Sequence, residues 1–258
     1  MCSERFGRDD TTTSQRIEMI KQALIGLTAA ALLAGCGGED KAQAPAAKAA
    51  DGTKTVGLVQ LVEHPALDAA SRGIQDAVKA RGLKVTFDVQ NAQADQSNLA
   101  NIAQRFVSQK YPLIFAVATP AAQTMANAAK NTPIVATAVT DYEAAKLVIN
   151  KDKPGTNVTG SSDLNPIGAQ LDLIMQFVPN AKTIGTIYNS SEINSQFQVE
   201  ILKKELARYN VTLVEGTVSS VNDVQQVAQG LIGKIDALYV PTDNIIASAM
   251  PVLTKITT

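Results

Sequence analysis

The stretch PLIFAVATPAAQTMANAAK, residues 112–130, decides the fold because a short aliphatic run passes directly into a helix-forming segment. Its first part, Pro112–Ala118, has the apolar composition of a buried strand. Its second part, Pro120–Lys130, predicts a helix with Thr119 in the N-cap position and Pro120 in the first helical position. A strand followed at once by a helix is the repeating unit of α/β proteins with parallel sheets.

The same alternation continues on both sides of this stretch, from Thr55 onward. Further strands are predicted at Thr55–Val62, Leu83–Val89, Pro133–Ala138, Lys182–Tyr188, Val211–Gly216 and Ile235–Val240. Further helices are predicted at Pro65–Arg81, Asp95–Gln109, Pro166–Phe177, Ile193–Tyr209 and Val221–Ile232. Strands that alternate with helices form a parallel sheet covered on both faces, so the predicted fold is α/β and doubly wound.

A polar, turn-rich segment at residues 150–157 interrupts the alternation, which resumes after Asn165-Pro166. We therefore predict two lobes, residues 53–162 and residues 163–258, joined by a hinge. Ligands of open α/β sheets bind outside the carboxyl ends of the strands. A cleft between the two lobes is the expected place for a site.

Charge and cysteine content exclude several classes of function. Lys and Arg number 23 against 24 Asp and Glu, so the chain lacks the positive surplus that nucleic-acid binding requires. Both cysteines, Cys2 and Cys36, precede the first predicted strand, and His64 is the single histidine, so no metal site is expected. The sequence contains neither a Gly-rich phosphate loop nor a nucleophile-elbow motif, and no cofactor is expected.

The N-terminal region indicates export and lipid attachment. Residues 19–35 combine Lys21, an apolar run and small final residues, which is the pattern of a signal peptide. The run ends in Leu33-Ala34-Gly35-Cys36, which resembles the bacterial lipobox, so Cys36 is the expected lipidation site and membrane anchor. The alternative is an ordinary secretory signal with an incidental cysteine. Residues 1–18 are interpreted as a start-site extension, and residues 36–52 as a flexible tether.

Small polar and acidic residues follow the predicted strands. Thr119, together with the free N–H groups at the start of its helix, suits a carboxylate. An ammonium group would find a partner in Asp243 or Glu63. Each of these residues has a structural alternative, since Ser, Thr, Asp and Asn also cap helices. His64, which precedes Pro65, is interpreted as a turn residue at the start of a helix.

Six blocks of sequence occur in an order that resembles one known family. They are Val56–Asp68, Ala118–Gln123, Ala138–Asp141, Val158–Asp163, Tyr188–Ser195 and Tyr239–Asn244. Together they resemble the lipoprotein substrate-binding components of ABC importers of the tryptophan/tyrosine type, whose fold is the type I periplasmic-binding-protein clamp. The resemblance extends from about Thr55 to the last residue.

The resemblance implies a non-enzymatic protein outside the cytoplasm that captures a small solute, an amino acid with aromatic ones as candidates. The ligand would pass to ABC permease and ATPase subunits. The resemblance also implies a ligand-binding set at the strand ends: Glu63, Thr119, Pro120, Thr140, Asp141, Ser162, Asp163, Asn189, Ser190, Asn194 and Asp243. Members of the family continue beyond the position of Thr258, so the second lobe is expected to be incomplete.

Two alternative functions stay open at the level of sequence. A ligand-sensing receptor of the same fold would use the same clamp and report to a signalling protein. A surface-anchored hydrolase would use two carboxylates at strand ends, for which Asp163 and Glu63 are candidates. A DNA-binding repressor with a similar core is disfavoured, because an exported and lipid-anchored chain does not meet DNA.

Overall fold

Strands and helices alternate along the computed structural model of this chain, which describes residues 52–257. The first part contains β1 (Lys54–Gln60), α1 (Pro65–Ala80), β2 (Val85–Asn91), α2 (Gln96–Ser108), β3 (Ile114–Val117), α3 (Thr119–Ala128), β4 (Ile134–Val139) and β5 (Val158–Ser162). The second part contains α4 (Ile167–Phe177), β6 (Thr183–Asn189), α5 (Ile193–Leu206), β7 (Thr212–Val218), α6 (Val224–Leu231), β8 (Ala237–Tyr239), α7 (Asn244–Ser248) and α8 (Met250–Thr257). A 3₁₀ turn, Val221–Asp223, leads into α6.

The strands form two parallel sheets with a doubly wound order. The first sheet has five strands in the order β2-β1-β3-β4-β5, and the second has three in the order β7-β6-β8. In the first sheet the chain passes from β1 to β2 and then returns to the other side of β1 with β3. In the second sheet β7 and β8 lie on opposite sides of β6 in the same way. Each sheet therefore has a topological switch point, where the carboxyl ends of the strands open a crevice.

Aliphatic side chains form the core around the first sheet. Leu58, Ile114 and Ile134 of its central strands are fully buried. Phe106 of α2 packs against β1 at Gly57, where a Cβ atom would lie 2.6 Å from the phenyl ring. The glycine therefore permits a close approach between helix and sheet that a larger residue would prevent.

Each face of the second sheet packs against a separate cluster of apolar side chains. Ile184 of β6 packs with Leu171 of α4 and Leu202 of α5, whereas Ile187 packs with Val224 of α6. Successive side chains of a strand point to opposite faces, so residues three apart in β6 serve opposite helix layers. The helices of this part thus cover both faces of the sheet.

The predicted α/β fold with doubly wound parallel sheets is confirmed, and the second sheet has fewer strands than the first. One strand is missing from the prediction, since β5 pairs with β4 at the edge of the first sheet, and Val158 is its one buried residue. The start of α3 also differs by one residue. Ala118 occupies the N-cap position there, and Thr119 is the first helical residue.

Predictions for residues 1–51 lie outside the described residues. They comprise the start-site extension, the signal peptide, the lipidation of Cys36 and nearly all of the tether. The division into lobes at residues 162 and 163 stays a prediction, and the strands of the two sheets lie on either side of it. None of the helices within residues 52–257 is long and apolar enough to cross a membrane.

Candidate functional site

The strands that flank the two switch points are followed by buried polar residues. In the first sheet, β1 is followed by His64 and β3 by Thr119. In the second sheet, β6 is followed by Glu192 and Asn194, and β8 by Asp243. Each of these residues is at most 9% exposed. Removing a polar side chain from water costs free energy, so buried polar side chains usually bind one another or a ligand.

A cavity of about 360 Å³, called the main cavity below, opens between the strand ends of the two sheets. Its first-sheet side is lined by His64, Ala66, Leu67, Thr137, Ala138 and Asp163. Its second-sheet side is lined by Val240, Pro241, Thr242, Asp243, Asn244, Ala247 and Met250. The volume lies in the range of sites for small ligands.

His64 lines the main cavity from the first-sheet side. It occupies the N-cap position of α1 without a side-chain capping bond, and its Nε2 is buried with no hydrogen-bond partner among residues 52–257. Burial lowers the pKa of His64, while a hydrogen bond with Asn244 and the charge of Asp68 oppose this effect. The imidazole is therefore neutral at pH 7.

Thr119 begins α3 directly after β3. The preceding Ala118 has φ 89° and ψ 151°, a left-handed conformation that residues other than glycine rarely adopt. Oγ1 of Thr119 is buried, and the described chain offers it no hydrogen-bond partner. The free N–H groups of a helix start beside an unpaired hydroxyl suit an anionic group such as a carboxylate.

Asp163 lines the same cavity at the end of β5. Its Oδ1 atom is buried and has no partner within the described residues. Burial raises the pKa of Asp163, and a hydrogen bond with Thr140 opposes the rise. Thr140 also accepts a hydrogen bond at its carbonyl oxygen from Oγ of Ser162 at 2.7 Å, which joins the ends of β4 and β5. An ammonium group in the cavity would provide Oδ1 of Asp163 with a donor.

On the second-sheet side, Glu192, Asn194 and Asn244 form a hydrogen-bonded cluster. Oε2 of Glu192 accepts from Nδ2 of Asn194 at 2.9 Å and from Nδ2 of Asn244 at 2.6 Å. Burial and then the charge of Asp243 raise the pKa of Glu192 to about 7, while the hydrogen bonds from Asn194 and Asn244 act in the opposite direction. Glu192 therefore retains a proton over part of the neutral range.

Asp243 joins three segments of the second part. Its Oδ1 accepts from the backbone N–H of Ile246 at 2.9 Å and so caps α7. Its Oδ2 accepts from the backbone N–H of Asn189 and from Oγ of Ser195, each at 2.6 Å. Burial raises the pKa of Asp243, against the opposing effect of the hydrogen bond from Ser195. Both oxygens of this cavity-lining residue thus already have donors.

Five of the six buried side-chain atoms that lack a hydrogen-bond partner in residues 52–257 lie at strand ends of this site. They are His64 Nε2, Thr119 Oγ1, Asp163 Oδ1, Glu192 Oε1 and Asn194 Oδ1. The sixth is Oγ1 of Thr186, in the interior of β6. Native proteins pair the large majority of their buried polar atoms, so this concentration indicates a place where a ligand supplies the missing partners.

Several residues of the predicted binding set lie at or beside the main cavity. Asp163 and Asp243 line it. Four others are buried at neighbouring strand ends: Thr119, Thr140, Asn189 and Asn194.

The remaining members of the predicted set are exposed or lie elsewhere. Glu63 is exposed and lines a neighbouring cavity of about 430 Å³, so it does not share the main cavity with Asp163 as the hydrolase alternative requires. Asp141 forms an ion pair with Lys151 at 2.8 Å and lines a third cavity of about 210 Å³ together with Ser162. Ser190 is exposed, and Pro120 is partly exposed.

His64 and Glu192 lie outside the binding set predicted from sequence. His64 lies at the helix start, as predicted. The sequence feature that could have identified it as a site residue is that the single histidine of the chain follows a strand. Glu192 directly precedes α5, where a carboxylate is commonly an exposed cap. No group of three or more His, Cys, Asp or Glu side chains in the described part of the chain is placed to hold a metal ion.

Comparison with known sequences indicates one family. The profile described as ABC transporter substrate binding protein matches residues 55–258. The tyrosine-binding protein of Clostridioides difficile (strain R20291) is 42% identical over 246 residues, which cover 93% of this chain and 71% of that protein.

Two solved structures differ in how closely their backbones match. The ABC domain from Streptococcus pneumonia in complex with L-Trp is 39% identical, with a TM-score of 0.77 over 80% of this chain and 71% of that chain. A substrate binding protein with adhesive properties from Clostridium difficile, in its ligand-free, open form, is 47% identical, with a TM-score of 0.56 over the same shares. The structure with the more similar sequence thus has the less similar backbone arrangement.

Proposed function

Because the chain belongs to the ABC transporter substrate binding protein family, we propose that it captures a free amino acid between its two sheets and delivers it to a permease. Relatives support this ligand class, since one is a tyrosine-binding protein and another was solved with L-Trp. The observation that carries the proposal is the group of five unpartnered polar atoms at the strand ends of both sheets.

The two charged groups of an amino acid have different partners in this site. The carboxylate binds Oγ1 of Thr119 and the N–H groups at the start of α3. The ammonium group binds Oδ1 of Asp163. Asp243, one of the two partners predicted from sequence, has donors on both oxygens and instead positions the second-sheet side. Leu67 and Met250 are among the apolar walls that receive the side chain.

Capture occurs by closure of the two halves over the ligand, without covalent chemistry. The better superposition on the L-Trp complex than on the open structure supports a closed arrangement of the present chain. Contacts between the halves agree with closure, since Ile193 of α5 packs against the core of the first sheet, and α3 approaches α5. A ligand that binds both halves stabilises this form, and reopening at the permease releases it.

A matched pair of hydroxyl deletions tests the proposal. Thr119→Val and Thr186→Val each remove a buried, unpaired hydroxyl and retain the branched shape of the side chain. Each should leave the free energy of unfolding unchanged or raise it by about 1 kcal/mol, because an unpaired buried hydroxyl is destabilising. Only Thr119→Val should weaken amino-acid binding, by about tenfold or more.

The measurement is isothermal titration calorimetry with the ligands found by a thermal-shift screen of the twenty amino acids. The wild-type protein should bind at least one of them, and the Thr186 variant should bind it equally well. Failure of the wild-type protein to bind any amino acid would refute the proposed function. Equal affinity of the two variants would refute the role of Thr119.

We also propose that a lipid on Cys36 anchors the protein at the outer face of the membrane that holds its permease. The support is Leu33-Ala34-Gly35-Cys36 at the end of an apolar, signal-like run. Cys36→Ser should move the protein from the membrane fraction to the soluble fraction, as measured by immunoblot, whereas Cys2→Ser should not. Quantitative retention of the Cys36 variant in the membrane fraction would contradict lipid attachment at this residue.

A further inference from the structure

The end of β4 contains a β-bulge at the edge of the main cavity. The register of β4 against β5 shifts between Ala136 and Val139, so two residues of β4 stand opposite one residue of β5. The backbone at Ala138 is left-handed there, with φ 55°. Bulges bend a strand and change the direction of its side chains, and they are frequent beside binding sites. Both bulged residues, Thr137 and Ala138, line the main cavity.

The hydroxyl of Tyr142 holds this bulge in place. It donates to the carbonyl oxygen of Ala136 at 2.9 Å and to that of Ser161 at 3.2 Å, which joins the two strands where their regular ladder is interrupted. Burial, and then the charge of Asp163, raise the pKa of Tyr142, so the phenol keeps the proton that it donates. A Cβ atom at Gly160 would collide with this hydroxyl, so the arrangement requires glycine at that position.

Thr137 presents a hydroxyl to the main cavity. Unlike the buried Thr119, it is partly exposed, and its Oγ1 forms an exposed hydrogen bond of 3.0 Å with Oγ of Ser161, in which either hydroxyl can be the donor. When Thr137 is the donor, its lone pairs can accept a further hydrogen bond. Because β4 lies between β3 and β5, Thr137 is placed between Thr119, which follows β3, and Asp163, which follows β5.

Resting on the proposed function, we infer that Oγ1 of Thr137 is a second acceptor for the ammonium group of a bound amino acid, beside Asp163. The carboxylate at Thr119 and the ammonium group at Asp163 are attached to one carbon atom, so a hydroxyl between these two residues is close to the ammonium group. This group has three N–H donors, and Oδ1 of Asp163 accepts from one of them. Thr137 therefore accepts from the ligand and donates to Ser161, and Tyr142 positions it through the bulge.

The experiment compares each amino acid with the analogue that has hydrogen in place of the ammonium group. L-Tyr is paired with 3-(4-hydroxyphenyl)propanoic acid, and L-Trp with indole-3-propanoic acid. Titration calorimetry measures the affinities, with displacement titrations for the weaker ligand. The wild-type protein should bind the amino acid of each pair more tightly. Thr137→Val should reduce this ratio of affinities about tenfold, because the lost hydrogen bond involves a charged group.

Two other threonine variants are the controls for Thr137→Val. Thr119→Val should weaken both members of a pair alike and keep the wild-type ratio, since both members have the carboxylate. Thr159→Val changes a residue of β5 that lines the third cavity of about 210 Å³, so it should keep both affinities.

A matched pair of tyrosines tests the positioning role of Tyr142. Tyr142→Phe and Tyr111→Phe each remove a hydroxyl from a buried side chain, and Tyr111 donates to Asp88 at 2.7 Å, away from the main cavity. Both variants should lose stability. Only Tyr142→Phe should also reduce the ratio of affinities, because the bulge then no longer directs Thr137 to the ammonium group.

The possible outcomes separate the claims. An unchanged ratio in Thr137→Val would overturn the role of Thr137 and leave amino-acid capture intact. So would a crystal structure of the L-Tyr or L-Trp complex in which Oγ1 of Thr137 is beyond hydrogen-bond distance of the ammonium nitrogen. Equal ratios in Tyr142→Phe and Tyr111→Phe would overturn positioning by Tyr142. Absence of L-Tyr and L-Trp binding to the wild-type protein would overturn capture of these ligands and the role of Thr137 with it. If Thr137→Val does not fold, the crystal structure decides.

Discussion

Glu192 is a carboxylic acid whose surroundings oppose its charge. It is 3% exposed, and Asp243 lies near enough to disfavour a second negative charge. Its ordinary pKa of 4.5 rises to about 7 in the folded protein. Between these two values the folded protein holds a proton that the unfolded chain has lost, so stability falls as the pH rises through this interval.

Glu192→Gln should remove this pH dependence, since the amide resembles the protonated acid. The free energy of unfolding of the variant should exceed that of the wild-type protein by an amount that grows from about pH 4.5 to about pH 7 and is constant above. Urea unfolding of both proteins at several pH values measures the difference. Glu63→Gln, at an exposed carboxylate, is the control. A difference that does not change with pH would contradict the raised pKa of Glu192.

A residue of the site can be predicted from sequence only where the end of the preceding strand can be predicted. Thr119 and Asn194 follow predicted strands, whereas Asp163 follows β5, which the prediction lacks; each of the three has an unpartnered buried atom. His64 and Glu192 lie at equivalent positions but are not selected, because what distinguishes them is the absence of a partner after the two sheets pack together. A sequence shows where a polar atom is, and only the packed structure shows whether that atom has a partner.

At the scale of elements, α7 depends strongly on one side chain. It spans five residues, and Asp243 provides its N-cap while also binding the end of β6 and the start of α5. Asp243→Ala would leave two backbone N–H groups and the hydroxyl of Ser195 without their acceptor. We expect the free energy of unfolding to fall by about 2–4 kcal/mol.

Ser195→Ala is the comparison for Asp243→Ala, since it removes one of the same three hydrogen bonds. Its free energy of unfolding should fall by about 1 kcal/mol. Guanidinium unfolding of the two variants and the wild-type protein gives both values. Similar losses in the two variants would contradict the joining role of Asp243.

β5, the strand absent from the sequence prediction, lacks the apolar pattern of the other strands. Most strands here have runs of Val, Ile and Leu because helices cover both faces of their sheet. β5 is Val158-Thr159-Gly160-Ser161-Ser162, lies at a sheet edge and pairs with β4 alone. Gly160 also approaches β4 so closely that a Cβ would lie 1.8 Å from the carbonyl oxygen of Ala136. Close backbone contact, rather than apolar pattern, makes this segment a strand.

At the scale of the whole molecule, the two switch points face one cavity, so ligand binding and the relative position of the sheets are linked. Addition of a bound amino acid should reduce the radius of gyration measured by small-angle X-ray scattering, because it stabilises the closed form. Thr119→Val at the same ligand concentration should show a smaller reduction. Identical scattering of the wild-type protein with and without saturating ligand would contradict capture by closure.

The fold of each sheet is predictable from sequence, whereas the arrangement of the two sheets is not. Alternation of strands and helices determines the order within a sheet through short, local connections. The contacts between the two parts include Ile193, which packs against the core of the first sheet, and Ala94, which packs against the core of the second. These contacts join residues far apart in sequence, and no local pattern encodes them.

The backbone conformation of Ala118 affects how tightly this protein can bind its ligand. Its left-handed backbone is fully buried, and its N–H donates to the carbonyl oxygen of Thr137 at 3.0 Å, so the chain itself fixes the turn that precedes Thr119. A binding surface made rigid in this way loses little torsional freedom when a ligand binds, so little of the entropic cost of binding arises there.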